Sequence, residues 1–362
     1  MRYRSTVILA RWTLGAGAQT KSIPINLTQP ISRIAVNVEL VNNLSVWTDH
    51  PAKVLKGLEV VDGSDVLFSM DGGAAHGLAF YGTKKQPYLC NVGVGNDSSR
   101  ACYTVDFGRF LWDPLYGLDP NRHTNLELKL ELDRSLGACA PSNALITVVA
   151  DVFDEFIPSL VGMLQSKEVK EYWPTDDLTE YTELPRDFPY RQVMIKACAE
   201  EEGAIVQVED FKLTEDHDAH VLLDERAEQY LERVAADWPP WHEFVALMGQ
   251  SGGQAFYITP THATKPVIIR TVYADGYSTC AWQGGQLQKG YESTGQYLEG
   301  WVTGYCPNGC IPIVFGDIMN PDDFFRVDHL KSLNLKLHTR ATGACDQTDT
   351  RTKIIVQQVR PY

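Results

Sequence analysis

The stretch Asn125-Leu126-Glu127-Leu128-Lys129-Leu130-Glu131-Leu132 alternates leucine with a polar or charged residue along its whole length. Side chains on an extended backbone point alternately to its two faces, so the leucines line a core while Glu127, Lys129 and Glu131 meet water. A helix would scatter these leucines round its circumference. The stretch reads as a half-buried strand of an antiparallel sheet. The same period runs through Lys21 to Leu27 and through Ile31 to Leu40, where Ile34, Val36, Val38 and Leu40 share one face.

Similar runs lie at 53–61, 65–69, 102–107 and 144–153, and again at 191–199, 203–213, 254–259, 266–273, 300–305, 311–315, 332–339 and 352–359. About fifteen short strands with little helix between them point to an all-β chain of sandwiches or barrels. The best helix spans 224–236, with Asp224 as its cap and Ala227, Tyr230, Leu231, Val234 and Ala235 on one apolar stripe. One or two further helical turns are expected near 159–171. They fall within Pro158 to Pro189, a proline-bearing segment with Asp176-Asp177 that reads as an inter-domain linker.

An internal repeat suggests two kindred domains. Phe107-Gly108 recurs as Phe315-Gly316, Asn125-Leu126-Glu127-Leu128 as Asn334-Leu335-Lys336-Leu337, and Gly137-Ala138-Cys139 as Gly343-Ala344-Cys345, in the same order. Each Gly-Ala-Cys is followed by a polar turn and an alternating final strand. The expected division is an N-terminal arm over 1–19, a first sandwich over 20–157, a linker over 158–187 and a second sandwich over 188–362.

Composition narrows the function classes. The chain of 362 residues has 32 basic and 46 acidic side chains, a formal net charge of −14. That balance argues against a protein that packs nucleic acid by neutralising phosphates. With 44% hydrophobic residues it buries a real core, and no apolar run approaches the length of a membrane-spanning helix. No secretory h-region is evident, so the mature chain is expected to start at or near Met1 and its eight cysteines to be mostly buried thiols.

With two β-rich halves, and with Phe107-Gly108-Arg109-Phe110-Leu111-Trp112-Asp113-Pro114 leading through Gly117-Leu118-Asp119 into the alternating strand, the chain resembles the double jelly-roll major capsid proteins of icosahedral viruses, especially those of tailless, membrane-containing phages. The resemblance covers the whole chain in architecture. It implies two tandem eight-stranded jelly-roll sandwiches with one or two short helices, and three subunits per capsomer, so that six similar units fill a site with six neighbours. It implies a structural protein of the virion shell, assembled in the host cytoplasm, with no enzymatic activity, cofactor or metal. The partners implied are further copies of the chain, as homotrimer and neighbouring capsomers, penton or other minor capsid proteins, and an internal lipid membrane, without direct nucleic-acid binding. Met1 to Trp12, with Arg2, Arg4 and Arg11, would lie against anionic headgroups, clamp a neighbouring capsomer, or form a simple edge strand.

Two other readings compete. Gly249-Gln250-Ser251-Gly252-Gly253 matches the G-x-S-x-G nucleophile elbow, with Asp317 and His329 or His338 as later triad partners. The elbow needs a strand turning into a helix, yet Gln254 to Thr259 reads as another strand, so Ser251 is expected in a glycine-rich loop. Trp238-Pro239-Pro240-Trp241-His242-Glu243-Phe244 and Tyr297 to Tyr305, with Trp301, offer aromatic faces for a sugar in a carbohydrate-binding or carbohydrate-active sandwich, or for core and subunit contacts. His217 and His220 beside Glu215, Asp216 and Asp218 lack the H-x-H pair of a cupin metal site and read as a solvated acidic turn. Cys306-Pro307-Asn308-Gly309-Cys310 reads as a β-turn, and Gly15-Ala16-Gly17 is too little of a dinucleotide fingerprint to count.

Overall fold

The computed structural model describes residues 2–43, 50–136, 141–155, 157–197, 203–249, 254–272, 280–283, 286–289, 296–340 and 351–362. Its first half contains β1 (Tyr3–Leu14), β2 (Ala18–Pro24), β3 (Ile31–Val41), β4 (Leu55–Asp62), β5 (Asp65–Met70), helix α1 (Gly72–Thr83), β6 (Leu89–Gly93), β7 (Ser98–Asp106), β8 (Leu126–Asp133) and β9 (Asn143–Phe153). The second half continues with β10 (Gly162–Tyr172), β11 (Thr179–Glu183), β12 (Tyr190–Lys196), α2 (Ala204–Gln207), β13 (Asp210–Glu215), β14 (His220–Arg226) and α3 (Ala227–Asp237). An inserted set follows: β15 (Trp241–Gly249), β16 (Gln254–Tyr257), β17 (Pro260–Val272), β18 (Cys280–Gln283), β19 (Gln286–Lys289) and β20 (Gln296–Pro307). The chain closes with β21 (Cys310–Val314), β22 (Leu333–His338) and β23 (Thr352–Pro361).

The strand order defines two jelly rolls. In the first half β1-β9-β3-β7 faces β2-β8-β4-β5, and in the second β10-β23-β12-β21 faces β11-β22-β13-β14. Numbered within its own half, leaving out the short β6 and the inserted β15 to β20, each pair of sheets runs first-eighth-third-sixth and second-seventh-fourth-fifth. Leu128, Leu130 and Leu132 of β8 are fully buried, as are Leu333 and Leu335 of β22, so the alternation fills the space between sheets as it should.

The irregularities repeat as well. The β4–β5 register steps between Val60 and Val61, and the β13–β14 register between Leu213 and Thr214. The β1–β9 ladder steps between Val7 and Leu9, and the β10–β23 ladder between Glu168 and Lys170. A bulge bends and twists its strand, so matched bulges give matched curvature. Phe107-Gly108 and Phe315-Gly316 each follow a sixth strand directly, β7 and β21. In the seventh strands, Leu128 pairs with Val60 and Leu335 with Leu213, which aligns Leu128 with Leu335. That lies two residues from the sequence match of Asn125 with Asn334 and preserves its face. The Gly-Ala-Cys triplets lie outside the described residues.

Several local expectations differ from the structure. Tyr3–Leu14, placed in an arm before the first sandwich, is that sandwich's first strand and pairs along β9 at the sheet edge, the edge-strand alternative given for Met1 to Trp12. The turns of helix expected near 159–171 are strand β10, which lies between β5 and β23. Met163, Leu164, Gln165 and Ser166 are all buried there, and burial on both faces erases the alternation that marks a half-exposed strand. Helix α3 starts at Ala227; Asp224 is still in β14, where its carboxylate accepts from Lys212 Nζ at 2.7 Å. Ala227, Tyr230, Leu231 and Val234 are buried as the stripe requires. The run 203–213 opens with the single turn α2 before β13 begins.

Candidate functional site at the seam of the sandwiches

The two sandwiches share sheets. β5 lies parallel to β10, with Phe68 beside Ser166 and Ser69 beside Lys167, so the second sheet of the first sandwich continues into the first sheet of the second. β6 lies parallel to β15, with Cys90 beside Phe244, so the other sheet of the first sandwich continues through β15, β20 and β17.

Helix α1 fills the space between. Its sequence, Gly-Gly-Ala-Ala-His-Gly-Leu-Ala-Phe-Tyr-Gly-Thr, has no apolar stripe because nearly every position is buried. Asp71 caps it, accepting from the Ala74 N–H at 2.9 Å. A Cβ on Gly72 would lie 2.9 Å from the Ala52 carbonyl oxygen on the first sandwich, and one on Gly77 would lie 2.6 Å from Cys310 Sγ on the second. Gly77→Val is expected to cost about 1–3 kcal/mol in chemical denaturation, because the added carbons meet Cys310 Sγ and Cβ on β21 at 2.6 and 2.8 Å.

Buried polar groups tie the halves together. Asp71 accepts from Lys196 Nζ at 2.6 Å and pairs with Lys353 Nζ at 3.2 Å. Burial alone would raise the Asp71 pKa, but the two lysines outweigh it and hold the carboxyl well below the usual carboxylate range. Arg191, 2% exposed, donates to the carbonyls of Ile318 (2.9 Å) and Gly82 (2.5 Å) and to Gln357 Oε1 (2.8 Å). Burial lowers its pKa to about 10, which leaves it charged at neutral pH. Nearby, Arg109 grips Asp113 through Nε at 2.7 Å and Nη2 at 2.8 Å and donates to the Met319 carbonyl at 2.7 Å.

The inserted strands are anchored by Glu243. This carboxylate, without solvent exposure, accepts from Asn91 Nδ2 and from the Thr259 N–H, and lies 3.2 Å from His50 Nε2. His50 Nδ1 accepts from the Ala52 N–H, so the ring turns Nε2 toward Glu243. His76 stacks on Tyr103 at 4.3 Å and donates Nε2–H to the Cys102 carbonyl; burial lowers its pKa to about 3, so the ring is neutral.

Among the described residues, those singled out by sequence are spread over several elements. Ser251 lies outside the described residues. Asp317 and His329 are exposed on the connection after β21, while His338 is on β22, 3.2 Å from Thr179 Oγ1. His220 pairs with Glu215 at 2.6 Å, whereas the His217 ring faces Ser332. Cys306 and Cys310 flank a tight Asn308-Gly309 turn in which both residues have positive φ, and Cys306 Sγ donates to the Cys310 carbonyl. Trp241 is fully buried against Phe80, with ring centroids 5.3 Å apart, and Trp238 donates Nε1–H to the Tyr81 carbonyl. Trp301 is 42% exposed and packs edge-on against Phe244. The Tyr297 side chain lies outside the described residues. Sequence reading missed α1 and the Asp71 clamp; the one local signal was an aspartate at the cap position.

The two sandwiches differ in the connection between sixth and seventh strands. After Phe107-Gly108 the first exposes Phe110 and Leu115, and the inter-sandwich connection exposes Ile157 and Val161. The Val161 N–H donates to the Leu115 carbonyl at 2.9 Å. After Phe315-Gly316 the second exposes Asp317, Asp322 and Asp323.

Solved structures share this architecture over almost the whole chain. The STIV major capsid protein matches with a TM-score of 0.61 at 10% identity, covering 99% of this chain and 96% of that one. The major capsid protein from Bacteriophage PM2 gives 0.54 at 12% identity, covering 99% and 98%. PBCV-1 VP54, in a structure fitted into a reconstruction of the virophage Sputnik, gives 0.56 at 11% identity, covering 99% and 93%. No protein-family model matches the sequence, and no curated protein matches it. The chain is a double jelly-roll protein. Its fold is that of viral major capsid proteins.

Proposed function

We propose that the chain is a major capsid protein that builds an icosahedral shell as a homotrimer with six sandwich units. The observation that carries this reading is the pair of sandwiches with one strand order, welded by shared sheets and α1 into a single block. A closed trimer of such blocks presents six similar units from one gene product. The work is mechanical, and no side-chain constellation is assigned to catalysis. Likeness to capsid structures supports this, as does the burial of Trp238 and Trp241, which takes both out of reach of a sugar.

In this reading the end carrying Phe110, Leu115, Ile157 and Val161 faces an internal lipid layer or a minor capsid protein, because apolar side chains left in water favour association. Light scattering on purified protein is expected to give about 120 kDa, three copies of the 40.5 kDa chain, or assembled shells. A monodisperse monomer whose Ser251 is labelled by a fluorophosphonate and which turns over an ester would reverse the assignment.

A further inference from the structure

The two sandwiches meet round a small hollow at the C-terminal end of α1. Thr83 of α1 with Thr104 and Asp106 of β7 line it from the first sandwich, and Arg191 of β12 with Gln357 of β23 line it from the second. The centre of a water molecule has about 10 Å³ to move in there, room for one. Gly82 keeps the hollow open, because a Cβ at that position would lie 2.9 Å from Arg191 Nη1.

One donor is left over among the lining groups. A guanidinium has five N–H groups. In Arg191 the Nε–H goes to the Ile318 carbonyl, one Nη1–H to Gln357 Oε1, and the pair on Nη2 to the carbonyls of Gly82 and Arg109, the last at 3.5 Å. The second Nη1–H has no partner among the described residues, and Nη1 is the atom that Gly82 leaves uncovered. The threonines and the carboxylate can only accept. Thr83 donates its hydroxyl proton to the Ala79 carbonyl at 2.7 Å, and Thr104 donates its own to Asp106 Oδ2 at 3.0 Å.

Asp106 and Arg191 also attract each other without meeting. Burial raises the Asp106 pKa while the Arg33 and Arg191 charges oppose the rise, and burial lowers the Arg191 pKa while Asp106 opposes the fall. Among the described ion pairs none joins the two directly. We propose that the hollow binds one ordered water molecule, which accepts from the spare Arg191 Nη1–H and donates to the Asp106 carboxylate and to Thr83 Oγ1, joining the sandwiches by a water-separated ion pair. The lining selects water over other occupants. An anion would face the carboxylate, a cation would face the guanidinium, and a larger neutral molecule exceeds the room. A bridging water makes bonds nearly as good as a direct contact, and it leaves each buried ion with part of its hydration.

The test is a density map of the full chain, from crystals or assembled shells, at a resolution that shows bound water. One peak is expected at about 2.6–3.2 Å from both Arg191 Nη1 and an Asp106 oxygen. Asp106→Asn, whose amide oxygen still accepts, is expected to keep that peak, and Asp106→Leu to lose it. A parent map with no peak, with Arg191 bonded directly to Asp106, or with density that refines as an ion overturns the proposal. So does a peak that survives Asp106→Leu. Circular dichroism checks that the variants fold, and should either fail, the parent map decides alone.

Discussion

Asp71→Ala is expected to destabilise the protein by about 3–5 kcal/mol, with loss of the denaturation midpoint read by far-ultraviolet circular dichroism. The carboxylate does two things at once. It satisfies the first turn of α1 through the Ala74 N–H, and it neutralises Lys196 and Lys353, which belong to the other sandwich. Alanine removes the cap, worth about 1 kcal/mol, and takes from Lys196 the carboxylate it pairs with, while Lys353 keeps Glu168 at 3.1 Å and Glu171 at 3.4 Å. Asp71→Asn keeps the shape and the cap but not the charge, so it should recover only a small part of the loss. The pH dependence follows from the depressed pKa. The contribution is complete above the ordinary carboxylate range and disappears only as pH falls through the low folded-state value, that is, in strong acid. A stability curve that already declines near neutrality in the parent, and not in Asp71→Asn, would contradict this assignment.

Trp241→Ala is the second large effect, at about 3–5 kcal/mol. The indole has no solvent exposure and fills the volume between Phe80 on α1 and the first strand of the insertion. Truncation leaves a cavity walled by two sandwiches that their shared strands hold apart, so the walls cannot close on it. Trp301→Ala provides the contrast. Its ring is partly in solvent and touches Phe244 alone among the aromatic contacts described, so its loss should cost under about 1 kcal/mol. Equal losses at both positions in urea titrations would mean that the seam packs less tightly than described.

How much of this was legible in the sequence depends on how each segment is buried. β8 declared itself because one face meets the core and the other water, and its leucines fall where the period places them. β10 was read as turns of helix because it runs mid-sheet, covered on both faces, and carries no alternation for a periodicity argument to use. Helix α1 is invisible for the parallel reason: it is buried all round, and its glycines, poor helix formers, are there because backbones approach from both sides. α3, with one wet face, was found within a few residues. The Asp71 clamp joins residues from three strands or caps far apart in the chain, and no spacing rule connects them. The repeat holds at Phe107 and Phe315, where the chain leaves the sixth strand in both halves. It was misaligned by two residues in the seventh strand, where any leucine alternation fits any other of the same phase.

The unlike connections after Phe107 and Phe315 set a limit on how far three chains can imitate six. Around such a ring the feet of the units alternate, one greasy, the next negative. In the proposed trimer a layer lying against that end would meet three grips spaced a third of a turn apart, so that face would be triangular even where the outline is hexagonal, and the layer would distinguish one orientation of the capsomer from another rotated by a sixth.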